Sequence, residues 1–210
     1  MNENVVPVID LSRQETVLSP TVDAVQLNLG MLYERMRRLY TISVHKDYVS
    51  WITYFEMIVV QLRALCCEKR WKLRNYTIQG LLYRIGASAD ANEFDRFLDD
   101  TIAGAIDSEL LSAREVIRRI ADKFVCHYEC DHRQDANIAM ARVREELIQM
   151  LLKDDLLGRT VSKIQDVVNK ALSNAAEEFR RRLISRLFGS IEEYERIKSI
   201  KIPSAANEMS

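Results

Sequence analysis

A chain of 210 residues with 48% hydrophobic and 29% charged residues has the composition of a soluble globular protein with one sizeable core or two small ones. Its formal net charge of -1 excludes the overall basic field of a dedicated nucleic-acid scavenger, while leaving room for a local basic patch. No apolar run approaches the roughly 20 residues that span a bilayer, and Met1-Asn2-Glu3-Asn4 lacks the positive-then-apolar layout of a secretory leader. The expectation is therefore a cytoplasmic protein with no membrane contact.

Pro7, Pro20 and Pro203 all lie near the termini. A long proline-free interior is the mark of consecutive helices, because proline removes a helical hydrogen bond and clashes with the preceding turn. Residues 1–20 read as an irregular arm carrying Val5, Val8 and Ile9. Ser19-Pro20-Thr21 looks like a helix entry, and Val25, Leu29, Leu32, Met36 and Leu39 predict a helix to about Ser43. Asp47 is placed to cap a second helix. The wide apolar face of that helix, from Trp51 and Phe55 to Leu65 and Cys66, predicts the centre of the core.

After a basic, polar break at Trp71–Asn75, residues 76–85 predict a short helix closed by Gly86. Ser88 opens a helix carrying Phe94, Phe97, Leu98 and Ile102, and Asp107 or Ser108 opens the next, with Val116, Ile117, Ile120 and Phe124 inward. A polar segment at 129–135 precedes a helix on Ile138, Val143, Leu147 and Leu151 that ends near Lys153. A near-heptad stripe from Leu157 to Leu187 predicts a long C-terminal helix and a candidate dimer seam, and Gly189 or Ser190 separates it from a short helix and a polar tail. No segment shows strand periodicity and no repeat of 20–50 residues occurs. The fold class is all-α: an up-and-down helical bundle over 21–188, preceded by the arm 1–20 and followed by 189–210.

Chemistry concentrates in the stretch from Arg118 to His132, which holds two of the three histidines and two of the four cysteines. A histidine at the frayed end of a helix is half held and half solvated, as a proton-transfer group near neutral pH must be. Lys123 precedes His127 by four residues and Arg119 precedes it by eight, so helical spacing lines up three cationic groups suited to an anionic substrate. The competing reading is plain: solvated helix-face charges, with His127 capping a C-terminus whose dipole favours cations. Cys126, His127, Cys130 and His132 are all zinc-competent. Zinc sites, however, normally join two ligand pairs across a longer loop, and the other thiols, Cys66 and Cys67, read as small core residues, so no metal and no cofactor is expected.

The run Asp122-Lys123-Phe124-Val125-Cys126-His127-Tyr128-Glu129 resembles the active-site helix end of the HEPN family, helical-bundle domains of prokaryotic toxins and antiphage systems. That family's motif is an arginine, a polar residue and then a histidine, with four to six residues between arginine and histidine. Thr77-Ile78-Gln79-Gly80-Leu81-Leu82 stands where the abortive-infection branch carries a Thr/Ser-Ile-x-x-Leu-Leu helix, and the resemblance covers roughly residues 21–155. It implies a metal-independent endoribonuclease acting as a homodimer on RNA, with a possible antitoxin or defence-system partner. His127 would be the acid/base, Asp122 the polar position, Arg119 and Lys123 catalytic cations, and Arg118 and Tyr128 substrate contacts.

The sequence departs from the motif at one place: Ala121 occupies the expected arginine position, with five residues between it and His127. Three explanations are open. Arg119 or Lys123 substitutes; the domain is inactive and serves as a non-catalytic dimeric RNA- or protein-binding module; or the chain is an arginine-to-alanine variant of a toxic nuclease. Arg180, Arg181, Arg182 and Arg186 form a second basic cluster, but Glu177 and Glu178 adjoin it and favour a solvated face. His45 reads as a junction or surface residue.

Overall fold

The computed structural model describes residues 11–42, 46–68, 76–126 and 134–199, with side chains described over 20–42, 46–68, 76–123 and 138–199. Among these the protein is an all-α bundle with one small hairpin. The expectations for Val5, Val8 and Ile9, for His45, for the break at 71–75, for 127–133 and for the tail from 200 fall outside the described residues.

Helix α1 (Leu11–Thr41) begins upstream of the predicted entry and runs through Pro20. A proline inside a helix removes one i→i−4 bond, and the turns on either side carry the helix across that gap. Helix α2 (Tyr48–Cys66) starts as predicted, Asp47 Oδ1 accepting the Ser50 amide at 3.0 Å. Contrary to the expectation that no apolar run is long enough, its 19 residues carry only two charges, Glu56 and Arg63, so length and composition alone would let it cross a membrane. Here its inward face, Phe55, Ile58, Val59, Leu62 and Leu65, is buried against α1 and forms the centre of the core. Each such side chain contributes about 1.5–3 kcal/mol by leaving water.

Thr77 caps α3 (Ile78–Arg84), accepting the Gly80 amide at 3.0 Å. The helix closes as predicted at Gly86, whose φ of 81° is the left-handed geometry that favours glycine. The Gly86 amide donates to the Tyr83 carbonyl and that of Ala87 to the Leu82 carbonyl, the paired bonds of a Schellman ending. Helix α4 (Ser88–Asp100) then packs on α3, directing Phe94 and Leu98 inward.

The next segment corrects the sequence reading. Instead of a helix opening at Asp107 or Ser108, strands β1 (Ile102–Ile106) and β2 (Glu109–Ser112) pair antiparallel, Ile106 opposite Glu109 and Gly104 opposite Leu111. Asp107 and Ser108, with φ of 48° and 70°, make the two-residue turn whose twist matches a hairpin. Gly104 permits close approach to the bundle, since a Cβ there would lie 2.9 Å from Met150 Cγ. The true helix start is Ser112, whose hydroxyl accepts the Glu115 amide at 3.3 Å and opens α5 (Ala113–Arg119). Helix α5 runs on into a π-helical segment, Ile120–Cys126.

Helix α6 (Gln134–Leu152) lies against α5 and β1. A corner at Asp154 and Asp155, both with φ of 52°, leads into α7 (Leu156–Asn174), and Tyr40 at the end of α1 donates to Asp155 Oδ1 at 3.1 Å. The stripe from Leu157 to Leu187 belongs to two helices rather than one. Ala175 and Ala176 are extended, and α8 (Glu177–Phe188) restarts with Glu177 and Glu178 in its first turn, where carboxylates suit the helix dipole. Helix α9 (Ile191–Ser199) follows as predicted, Ser190 Oγ accepting the Glu193 amide.

One buried cation pins α5 to this frame. Arg114 donates to Asp99 Oδ1 at 2.6 Å, Asp95 Oδ1 at 2.6 Å and the Cys66 carbonyl at 2.7 Å. Removing one partner of a buried ion pair leaves the other uncompensated. Arg114→Ala is therefore expected to lower unfolding free energy by about 3–5 kcal/mol in urea titration. Arg142→Ala, at a side chain 83% exposed and paired with Glu146, is expected to cost less than about 0.5 kcal/mol.

Tyr33 gives a pH signature. Burial, aided by the negative field of Asp166, raises its pKa well above the ordinary 10.0. Below about pH 10 the tyrosine is protonated in both states; above it only the unfolded chain ionises, so stability falls as pH rises. Alkaline denaturation followed by circular dichroism is expected to show a shallower limb for Tyr33→Phe than for the wild type.

Candidate functional site

The site has to be built around the junction of α5 with its π-helical continuation. A π-helix bonds i→i+5, a looser turn than the α-helix and one that recurs at functional positions. It begins at Ile120, so Ala121, Asp122 and Lys123 are its first residues after the junction.

Ala121 is completely buried. It faces the core together with Ile117 and Ile120, both also buried. Asp122 is half-buried and meets α2: Arg63 Nε donates to its Oδ1 at 2.8 Å. The same guanidinium reaches Glu68 through Nη1. The hydrogen bond that Arg63 donates to Asp122 drives the Arg63 pKa above its ordinary value, against a smaller opposing effect of burial. Lys123 is exposed.

Arg119 and Arg118 are directed elsewhere. Arg119 Nε donates to Glu115 at 2.9 Å and its Nη2 to Glu109 at 2.7 Å, tying the side chain back toward the hairpin. Those two carboxylates raise its pKa, Glu115 most strongly. Arg118 is exposed and lies 3.4 Å from Glu115. Long helical side chains lean toward the N-terminus of their helix, which is where Glu115 sits. The structure thus brings Asp122 together with Arg63 and groups Arg118 and Arg119 around Glu115, one turn earlier. His127 and Tyr128 lie outside the described residues, as do the side chains of Cys126, Cys130 and His132. Among the described residues no cluster of three or more His, Cys, Asp or Glu side chains is arranged to hold a metal.

No family model, curated protein or solved structure matches the chain. The geometry itself is then the guide to what this junction does.

Arg63 is the residue that sequence reasoning missed. Its signal was present: a lone arginine near the end of a helix whose only other charge is Glu56. Both charges have long-range partners, Glu56 pairing with Arg144 of α6. With Asp122 and Glu68 on one guanidinium the three side chains together carry a net charge of -1. Chemically the arrangement can hold a carboxylate in fixed orientation and present a guanidinium edge beside it.

The second basic cluster is compensated. Arg181 and Arg182 each donate to a glutamate four residues earlier at 2.9 Å, Arg180 lies 3.2 Å from Glu177, and Arg186 donates to Asp23 at 2.8 Å. The glutamate pairs are those of a solvated helix face, while the Arg186–Asp23 pair ties α8 to α1.

Burial at position 121 makes one expectation quantitative. Ala121→Arg would force a cation into the space beside Ile117 and Ile120. It is expected to lower the unfolding free energy by about 3–5 kcal/mol, the scale of an uncompensated buried charge. Urea titration reads this directly, and a variant as stable as the wild type would show that the side chain finds a route to solvent.

Proposed function

We propose that the protein is a HEPN-like module of a toxin or antiphage-defence system that acts on RNA as a metal-independent endoribonuclease, with Arg63 serving where Ala121 departs from the motif. The observation that supports this most is the 2.8 Å bond from Arg63 Nε to Asp122, which puts a guanidinium from α2 beside the motif's polar residue. The sequence Asp122 to His127 then supplies the rest. In this reading His127 transfers protons as a ribose 2′-hydroxyl attacks the adjacent phosphate. Arg63 and Lys123 stabilise the negative charge that develops on the phosphorane oxygens. The attack leaves a 2′,3′-cyclic phosphate on one fragment and a 5′-hydroxyl on the other. Dependence on the 2′-hydroxyl restricts the reaction to RNA.

A second reading is carried by a different observation. Ala121 is sealed in the core and Arg63, Arg118 and Arg119 each already face carboxylates. A cation held that way is less available to a developing phosphorane. On this reading the protein is a non-catalytic dimeric module that binds RNA or a partner protein in the cytoplasm.

An RNA cleavage assay with and without EDTA separates the two. The ribonuclease reading expects EDTA-insensitive cleavage with cyclic-phosphate ends, abolished in His127→Ala and reduced about 10²–10³-fold in Arg63→Ala, the scale of losing one charge-stabilising donor. Arg63→Ala is compared with the wild type by thermal melting, so that lost activity is not lost fold. A well-folded wild type that binds RNA, releases it in Lys123→Glu and never cuts it would replace the first reading with the second.

A further inference from the structure

Among the described residues the sheet has two strands, and the edge of β1 turned away from β2 meets no third. The two-residue turn makes Ile106 and Glu109 a pair that exchanges hydrogen bonds. Bonded and non-bonded pairs alternate along an antiparallel ladder, so the amide and carbonyl of Ala105 point outward. The register shift between Ile102 and Gly104 leaves Ala103 without a partner opposite it. These groups open onto a groove of about 570 Å3 between Ala103–Ala105 and the α6 residues Glu145, Gln149 and Met150. Past Glu146 it continues into a second hollow of about 510 Å3, lined by Ile106, Ile138 and Val143.

An unpaired strand edge beside an apolar trough is a template for another strand. The central side chains of β1, at Ala103, Gly104 and Ala105, are small, so a neighbouring backbone can approach, and Ile138, 62% exposed, offers apolar surface to its side chains. The charge on the walls selects the occupant further. Glu145, Glu146 and Asp107 face the groove against Arg142 and Lys153, which leaves it net negative. Arg142 is bonded to Glu146 at 2.8 Å, while Glu145 accepts from the neutral Gln149 amide at 2.8 Å and keeps its charge uncompensated by that bond. The carboxylates repel a phosphate backbone, and this surface is distinct from the Asp122 end.

We propose that this groove binds an extended segment of a partner protein, added as a third strand alongside β1 and carrying a lysine or arginine toward Glu145. The five residues of β1 span about 16 Å, room for a strand of similar length. The backbone edge supplies affinity and Glu145 supplies selectivity for a basic side chain. The inference stands apart from the RNA reading and survives its failure.

The test selects peptides of about twelve residues, long enough to cover the edge, from a random displayed library against the full chain, and measures binding of the enriched sequences by fluorescence anisotropy. The expected winners alternate β-branched residues with at least one lysine or arginine. Methylating their edge-facing amides, or substituting Ala105→Pro, is expected to weaken binding about tenfold or more by removing ladder hydrogen bonds. Proline is tolerated on a strand edge whose amide faces outward. Glu145→Lys lies on α6 and leaves the hairpin backbone intact. It is expected to weaken basic peptides about threefold and to favour versions carrying glutamate instead. The proposal is overturned if no sequence is enriched over selection on Ala105→Pro, or if the winners bind both variants as well as the wild type. It is also overturned if the wild type forms a concentration-dependent dimer that Ala105→Pro abolishes, because a second copy then occupies the edge.

Discussion

The position of α5 depends on a single buried guanidinium. Burial works against the Arg114 charge, but Asp99 and Asp95 outweigh it and hold the group fully protonated. The planar fork of an arginine can serve two carboxylates and a carbonyl at once, which a lysine ammonium cannot do with the same geometry. Gln79 of α3 joins the same group, its amide donating to the Cys66 carbonyl and to Asp95. The end of α2, the start of α3, the middle of α4 and the first turn of α5 therefore meet at one polar knot inside an apolar bundle. Such a knot fixes the rotation of α5 about its axis in a way that interchangeable leucines do not. The rotation in turn decides that Ala121 faces the core while Asp122 meets α2.

That dependence explains what could be read from the chain and what could not. Helix identity was legible wherever the cause was local: Asp47, Thr77, Gly86 and Ser190 each act on backbone groups two to four residues away. The core was legible for the same reason, since Phe55, Leu62, Phe94 and Ile117 repeat at helical spacing and are all buried. The hairpin was hidden because its strands are short and its residues, Ala103, Gly104, Ala105 and Leu110, carry no alternation. Its real signal was the polar pair Asp107-Ser108, which also reads as a helix cap. The division between α7 and α8 was missed because Ala175 and Ala176 are strong helix formers, and only the fold around them holds them extended.

The candidate site was legible only as a stretch of sequence. Helical spacing aligned Arg119 with Lys123 and His127, but it cannot say what a long side chain bends toward. Glu115 and Glu109, one turn behind and across the hairpin, claim Arg119. The contact that does gather at Asp122 comes from a residue 59 positions earlier, and no local pattern encodes it. The same limit applies to Arg114, which in sequence is one more charged residue near a helix start. Both arginines are long-range facts.

The adjacent thiols beside this knot carry a last consequence. Cys66 and Cys67 are both buried, burial pushes the Cys66 thiol pKa upward, and Cys66 donates to the Leu62 carbonyl at 2.7 Å. A protonated, enclosed sulfur reacts with neither alkylating reagents nor oxidants. Modification must wait until α2 and α5 part, the same event that frees the Cys66 carbonyl from Arg114. The pair is thus a built-in clock: the rate at which Cys66 and Cys67 themselves take up a thiol reagent reports how often the support under the Asp122 end comes undone.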